Sequence, residues 1–218
     1  MRDEVIECLL EKKLVVIVRG IGEANLVSFA ETMYSAGVRL LEVTFDASGR
    51  TPDAVTAKSI ETLAKNFDGR MHIGAGTVLT PAQVELTQAA GGRFVISPDA
   101  APEVIGRTRE VGLVSIPGAF TPTEIQAAHK AGADFVKLFP AASLGVSYVK
   151  AIRAPLSHVR LLAVGGVSLE NMEAFAGAGV AGFGIGSNIA DRKLVSEGRY
   201  GELAEIARRY VAVAAGGR

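Results

Sequence analysis

The stretch Ala131-Gly132-Ala133-Asp134-Phe135-Val136-Lys137-Leu138-Phe139-Pro140 decides the fold. Its opening Ala-Gly ends a helix, because glycine enters the left-handed conformation that closes helix termini. The run that follows is short, apolar and rich in strand formers, as expected of a buried strand. The same phrase, Ala-Gly and then an apolar run, returns at Ala36-Gly37, Ala90-Gly91 and Ala178-Gly179. Reading outward from it gives eight strands, at 14–19, 39–44, 71–75, 93–97, 112–116, 133–138, 159–164 and 180–185. The seven intervals hold helix candidates such as 23–36, 52–66, 81–90 and 123–131, with Pro81 and Pro102 near helix starts, where a missing N–H costs nothing. Repeated strand–helix units imply a parallel sheet. Eight of them imply a closed (β/α)8 TIM barrel, an α/β fold, with an open doubly wound sheet as the alternative.

No linker or low-complexity segment divides the chain, so residues 1–218 are expected to form a single domain. Hydrophobic residues make up 49% of it and aromatics only 6%, without tryptophan. The apolar mass is therefore aliphatic, as suits packed α/β layers. The 23 basic and 23 acidic residues balance, which argues against nucleic acid or an anionic membrane as the main partner. Cys8 is the only cysteine, so no intrachain disulfide forms. The first thirteen residues alternate charge with apolar side chains and read as an extra N-terminal amphipathic helix, not a signal peptide. No apolar run approaches the roughly 20 residues of a membrane span. A soluble cytoplasmic protein is the expectation.

Lys137 is a misfit in its apolar strand. Desolvation favours the neutral amine, and a neutral amine can form a Schiff base with a ketone. Bringing a lysine from ~10.4 to the roughly 7–8 useful in a nucleophile costs about 4 kcal/mol, within reach of burial plus a nearby cation. Arg19, at the end of the first strand, is a candidate for that cation. Glu42 is the second misfit. Alternation puts Leu40, Glu42 and Thr44 on one strand face. If that face lines the barrel, the carboxylate and the amine share a cavity, where Glu42 can move protons. The alternative is a structural ion pair, but such buried pairs contribute little to stability.

The third element is glycine-rich. Val164-Gly165-Gly166-Val167-Ser168 and Gly184-Ile185-Gly186-Ser187-Asn188 lie at the ends of the last two strands. Glycines let backbone N–H groups approach an anion, and loops in these positions bind phosphate in many barrels. Plain tight turns are the alternative. Gly74-Ala75-Gly76-Thr77 ends the third strand; its small residues are expected to leave room for a ligand, beside the Thr77 hydroxyl. Ser97-Pro98-Asp99 and Ile116-Pro117-Gly118 line a pocket wall or set loop geometry. His72, His129 and His158 stand isolated without ligand spacing, so no metal is expected. No cofactor is expected either. Three functions fit these residues: a Schiff-base aldolase, a phosphosugar epimerase or isomerase using Glu42 and Lys137 without covalent attachment, and a non-enzymatic phosphate-binding barrel.

The ordered set Leu41-Glu42-Val43-Thr44, Ile73-Gly74-Ala75-Gly76-Thr77-Val78-Leu79, Ile96-Ser97-Pro98, Ile116-Pro117-Gly118, Val136-Lys137-Leu138-Phe139-Pro140-Ala141 and Gly165-Gly166-Val167 resembles the 2-keto-3-deoxy-6-phosphogluconate (KDPG) and 4-hydroxy-2-oxoglutarate (KHG) aldolases. The resemblance implies a homotrimeric class I aldolase of the Entner-Doudoroff type. It would split the phosphogluconate into pyruvate and D-glyceraldehyde 3-phosphate, and 4-hydroxy-2-oxoglutarate into pyruvate and glyoxylate. It makes Lys137 the Schiff-base lysine, Glu42 the general acid/base and Thr77 a contact of the pyruvyl end. Arg19, Gly165, Gly166, Gly186 and Ser187 would hold the phosphate, with Pro98 and Phe139 completing the substrate-binding set. Two positions depart from the pattern. Asp46 stands where many relatives carry a carboxylate-binding arginine, so Asp46 is expected to turn outward, with Thr77, backbone N–H groups or Arg50 taking over. Val164 stands where gluconate-preferring relatives often carry threonine, and resembles the 2-dehydro-3-deoxy-6-phosphogalactonate aldolases, the alternative assignment.

Overall fold

The computed structural model describes residues 2–216; residues 1, 217 and 218 of the expected domain lie outside them. The strands are β1 (Leu14–Val18), β2 (Leu40–Thr44), β3 (His72–Gly76), β4 (Phe94–Ile96), β5 (Val114–Ile116), β6 (Gly118–Ala119), β7 (Val136–Leu138), β8 (Leu161–Val164) and β9 (Gly182–Ile185). All are parallel, in the order β5-β4-β3-β2-β1-β9-β8-β7-β6. Each of the eight expected strands is present. A ninth, β6, lies beyond the expected fifth strand: Pro117 separates β5, which pairs with β4, from β6, which pairs with β7. The two ends of the sheet are thus consecutive pieces of one chain segment. Lys137 N donates to Pro117 O at 2.8 Å and Asp134 N to Ser115 O at 2.9 Å, closing the barrel.

Several strands start later than expected because the preceding helix takes the first residues. Leu113 N donates to Thr108 O and Ala133 N to Ala128 O, each closing a helix C-terminus through a positive-φ glycine. The helices are α1 (Arg2–Lys12), α2 (Glu23–Ser35), α3 (Asp53–Asn66), α4 (Pro81–Ala89), α5 (Pro102–Glu110), α6 (Pro122–Lys130), α7 (Ala141–Arg153), α8 (Met172–Gly177), α9 (Arg192–Ser196) and α10 (Tyr200–Ala214). Pro81 and Pro102 do open their helices, and Pro122 opens a third.

Two apolar cores result from strand alternation. The larger lies between the sheet and the surrounding helices, with Val16, Leu41, Val136 and Phe183 facing Phe29, Ile60, Phe175 and Leu203. The smaller fills the barrel: Val15, Leu40, Phe94, Ile96, Val114, Phe135 and Leu162. Val5 and Leu9 of α1, both essentially inaccessible, join this inner cluster. The expected N-terminal helix therefore plugs the N-terminal end of the barrel. Arg2 is hydrogen-bonded to the buried carboxylate of Asp134, which also accepts from Ser115 N at 2.9 Å. This contact ties α1 to the residues just before β7. With one end filled, the C-terminal end is left open to solvent.

Candidate active site

Glu42 and Lys137 both point inward, one layer above the apolar filling. Glu42 is 2% exposed and Lys137 8%. Burial pushes the Glu42 carboxyl up to about 7, against the opposing pull of Lys137 and Arg19. Burial likewise lowers the Lys137 ammonium; Glu42 resists this and Arg19 reinforces it. Glu42 Oε2 is buried with no hydrogen-bond partner among the described residues. Lys137 Nζ lies 4.8 Å from the centre of the Phe139 ring, within reach of its π face.

Glycine makes room for these groups. A Cβ at position 76 would lie 1.5 Å from Glu42 Oε1, and one at position 74 would lie 2.4 Å from the Phe94 ring. This corrects the expectation for the Gly74-Ala75-Gly76 run. Its missing side chains admit the Glu42 carboxylate and an aromatic ring of the barrel filling, not a ligand.

A cavity of about 550 Å³ opens at the C-terminal ends of the strands. Every residue expected at the site lines it: Glu42, Lys137, Arg19, Thr77, Pro98, Phe139, Gly165, Gly166, Gly186 and Ser187. Val164 lines it as well. Arg19 Nη2 donates to Thr77 Oγ1 at 3.1 Å, bridging the ends of β1 and β3. Thr77 has φ +56°, a conformation rare for a β-branched residue and found where a site imposes it. Gly165 and Gly166 have φ of +89° and +72°, and a Cβ on Gly166 would lie 2.6 Å from that of Ala142. Only glycine fits this loop.

Two asparagines that sequence reasoning did not single out hold the loop. Asn171 Nδ2 donates to Gly166 O at 3.0 Å, while its Oδ1 accepts from Ser168 N at 2.9 Å. Asn188 Nδ2 donates to Val167 O at 3.1 Å, joining the loops after β8 and β9. A signal for the first existed in the Ser168-to-Asn171 spacing, which is that of a capping box, in which the side chain three residues on reaches back to the first residue's N–H. A second compartment of about 910 Å³ adjoins the first at Arg19, Gly186 and Ser187, and ends at Arg192 and Lys193.

Asp46 does not line the active cavity. Its carboxylate accepts from Ser48 N (2.9 Å), Ser48 Oγ (2.7 Å) and Thr51 N (3.0 Å), as the outward orientation requires. These bonds hold the carboxyl down at about 2. Arg50 is exposed and is likewise absent from the cavity lining. The isolation expected of the histidines fails for two of them: the rings of His129 and His158 meet edge to face, 4.9 Å apart. The fold brings the end of α6 beside the turn before β8, a proximity that sequence spacing cannot report. No group of three or more metal-ligating residues occurs among the described residues. Cys8 lies at the plugged end, its thiol pKa raised by burial.

A family model described as KDPG and KHG aldolase matches residues 5–206. The chain belongs to this aldolase family. It is an enzyme of the lyase class, and its nearly closed parallel barrel is the fold of KDPG aldolases. It is 40% identical over 181 residues to a probable 2-dehydro-3-deoxy-6-phosphogalactonate aldolase of Rhizobium meliloti, covering 83% of this chain and 82% of that one. It is 34% identical to the KHG/KDPG aldolase of Escherichia coli, covering 90% and 89%. A KDPG aldolase of Legionella pneumophila, solved with pyruvate captured as a covalent carbinolamine, superposes with a TM-score of 0.85 at 28% identity, covering 94% and 97%. No helix among the described residues is long and apolar enough to cross a membrane.

Proposed function

We propose that the protein is a Schiff-base aldolase that reversibly cleaves a 2-keto-3-deoxy-6-phospho sugar acid to pyruvate and D-glyceraldehyde 3-phosphate. One observation carries the reading. A buried amine with a lowered pKa and a buried, partly unpartnered carboxyl with a raised one line the same open cavity. A structural ion pair would consume both groups; here one carboxylate oxygen is left for a proton that comes and goes.

The neutral Lys137 amine adds to the C2 ketone and, after loss of water, becomes an iminium. Glu42 takes the proton of the C4 hydroxyl, directly or through water. The C3–C4 bond then breaks, and its electron pair moves into the iminium to give an enamine while the aldehyde departs. Glu42 returns a proton to C3, and hydrolysis frees pyruvate and the amine. A carboxyl near 7 can act in both directions at neutral pH. Gly165, Gly166, Gly186 and Ser187 receive the phosphate. Of the two sugar epimers, the galactonate is favoured, because an apolar Val164 lines the cavity where a hydroxyl would otherwise stand. A homotrimer, carried on the family resemblance, completes the reading, and light scattering in solution tests it.

Borohydride reduction in the presence of pyruvate is the decisive experiment. A reduced adduct located on Lys137 by peptide mass spectrometry is expected. Intact Lys137 under conditions where pyruvate binds would overturn covalent catalysis. Cleavage assays on the gluconate, the galactonate and 4-hydroxy-2-oxoglutarate then rank the substrates, with the galactonate expected first.

A further inference from the structure

Gln83 is a buried polar side chain that takes no part in the chemistry of the cavity. It stands in the first turn of α4, is 9% exposed and does not line the cavity. Its amide faces two rim loops at once. Oε1 accepts from Leu79 N at 2.8 Å, in the loop between β3 and α4. Nε2 donates to the two carboxylate oxygens of Asp53 at 3.2 and 3.1 Å, where the loop after β2 enters α3. Each loop sends residues into the cavity: Thr77 and Leu79 from the first, Ala47 from the second.

These bonds require an amide. An N–H donor lies on one side and a carboxylate on the other, and among unbranched side chains of this length only glutamine carries both an acceptor and a donor. A glutamate would set a second carboxylate against Asp53, and an apolar side chain would leave Leu79 N without its acceptor. The bond to Leu79 comes two residues after Thr77, whose φ of +56° is unfavourable for a β-branched residue. Such a conformation persists only where its surroundings over-determine it. Arg19 holds the Thr77 hydroxyl, and Val78 N donates to Ile96 O at 3.3 Å. The Leu79–Gln83 bond is a third tie, supplied by a side chain outside the cavity.

We infer that Gln83 is a positioning residue: by fastening Leu79 to Asp53 it keeps Thr77 in its left-handed conformation at the cavity wall and holds the loops after β2 and β3 in register with each other. It acts through Thr77 and Leu79 and touches no reacting atom. Its effect on turnover rests on the aldolase reading; the fastening of the two loops does not.

The test compares Q83L, Q83E and D53N with the double variant Q83E/D53N. Circular dichroism and thermal unfolding establish that each is folded. In Q83L the KM for the 6-phosphogalactonate substrate is expected to rise roughly ten- to a hundred-fold, because a small misplacement of a cavity wall is amplified to that degree. The pyruvate concentration that half-saturates borohydride trapping should rise with it. Trapping at saturating pyruvate should proceed at the wild-type rate, since Lys137 and Glu42 are anchored in strands. The Leu79 amide should exchange with deuterium roughly ten-fold faster or more. Q83E should behave as Q83L does, and D53N alone should stay near the wild type. Q83E/D53N should recover most of the loss, because an asparagine amide can donate to the introduced carboxylate.

Folded Q83L with unchanged KM and half-saturation overturns the inference, as does a double variant no better than Q83E, or a Leu79 amide that exchanges as in the wild type. A loss confined to thermal stability makes Gln83 structural only and overturns it as well. Wild-type protein that yields no pyruvate adduct defeats the aldolase reading instead, and Leu79 exchange across the four variants then decides the fastening by itself.

Discussion

Glu42 shows how a functional residue strains its own fold. The carboxyl holds a proton up to about 7 in the folded protein, against 4.5 as its ordinary value. Between those pH values the folded state binds more proton than the unfolded one, so this group's contribution to stability falls as pH rises. Above the window, ionised Glu42 costs the fold roughly 3 kcal/mol. Glu42→Gln is therefore expected to gain stability relative to the wild type as pH rises from 4.5 to 7, and to keep that gain above it. Denaturant unfolding at a series of pH values measures this. Cleavage should fall at the same time by roughly a hundred-fold or more, because a positioned proton carrier is lost. A variant equally destabilised at every pH would contradict the assignment of an uncompensated carboxyl. Both misfits, Glu42 and Lys137, were legible in the sequence because charge inside an apolar strand is conspicuous. The role of Gly76 was not: the sequence shows that a side chain is missing, but only packing shows that Glu42 fills the space.

Among the elements, the loop after β8 owes its shape to contacts distant in sequence. The Gly165-Gly166 pair was conspicuous in the sequence as an anion loop or a tight turn, but its positive φ angles and its close approach to the segment that opens α7 appear only in the fold. Gly166→Ala puts a methyl group 2.6 Å from Ala142 Cβ and strains a backbone at φ +72°. The loop must shift, and a misplacement of that size raises the KM for a phosphorylated substrate roughly ten-fold or more. Trapping of the pyruvate adduct should survive, since Lys137 stands on a different strand. Steady-state kinetics beside trapping separates the two effects. The break at Pro117 also belongs to this scale. The motif Ile116-Pro117-Gly118 was visible in the sequence, yet its service to two neighbouring strands appears only when the barrel closes.

At the scale of the whole molecule, the barrel is filled from below and open above. Eight strands could be read from their apolar runs, four of them announced by an Ala-Gly closure, because helix ends and buried strands leave local marks. The plug was only half legible. The amphipathic character of α1 shows in its sequence, but not that Val5 and Leu9 enter the barrel. Leu9→Ala removes a side chain with no exposure and should destabilise the protein by about 2–5 kcal/mol. The same variant should leave the KM for substrate unaltered, because the helix lies at the end opposite the mouth. Thermal unfolding and kinetics on one sample check both halves of that statement.

The glycine positions of β3 carry a consequence for how such an enzyme diversifies. Where a methyl group would already collide with the catalytic carboxylate or with Phe94, the staves cannot be recarved to admit a new substrate. A change in what the enzyme accepts is therefore made more readily in residues that line the two compartments without such a collision, such as Ala47 and Arg192, than in the β3 wall beneath them.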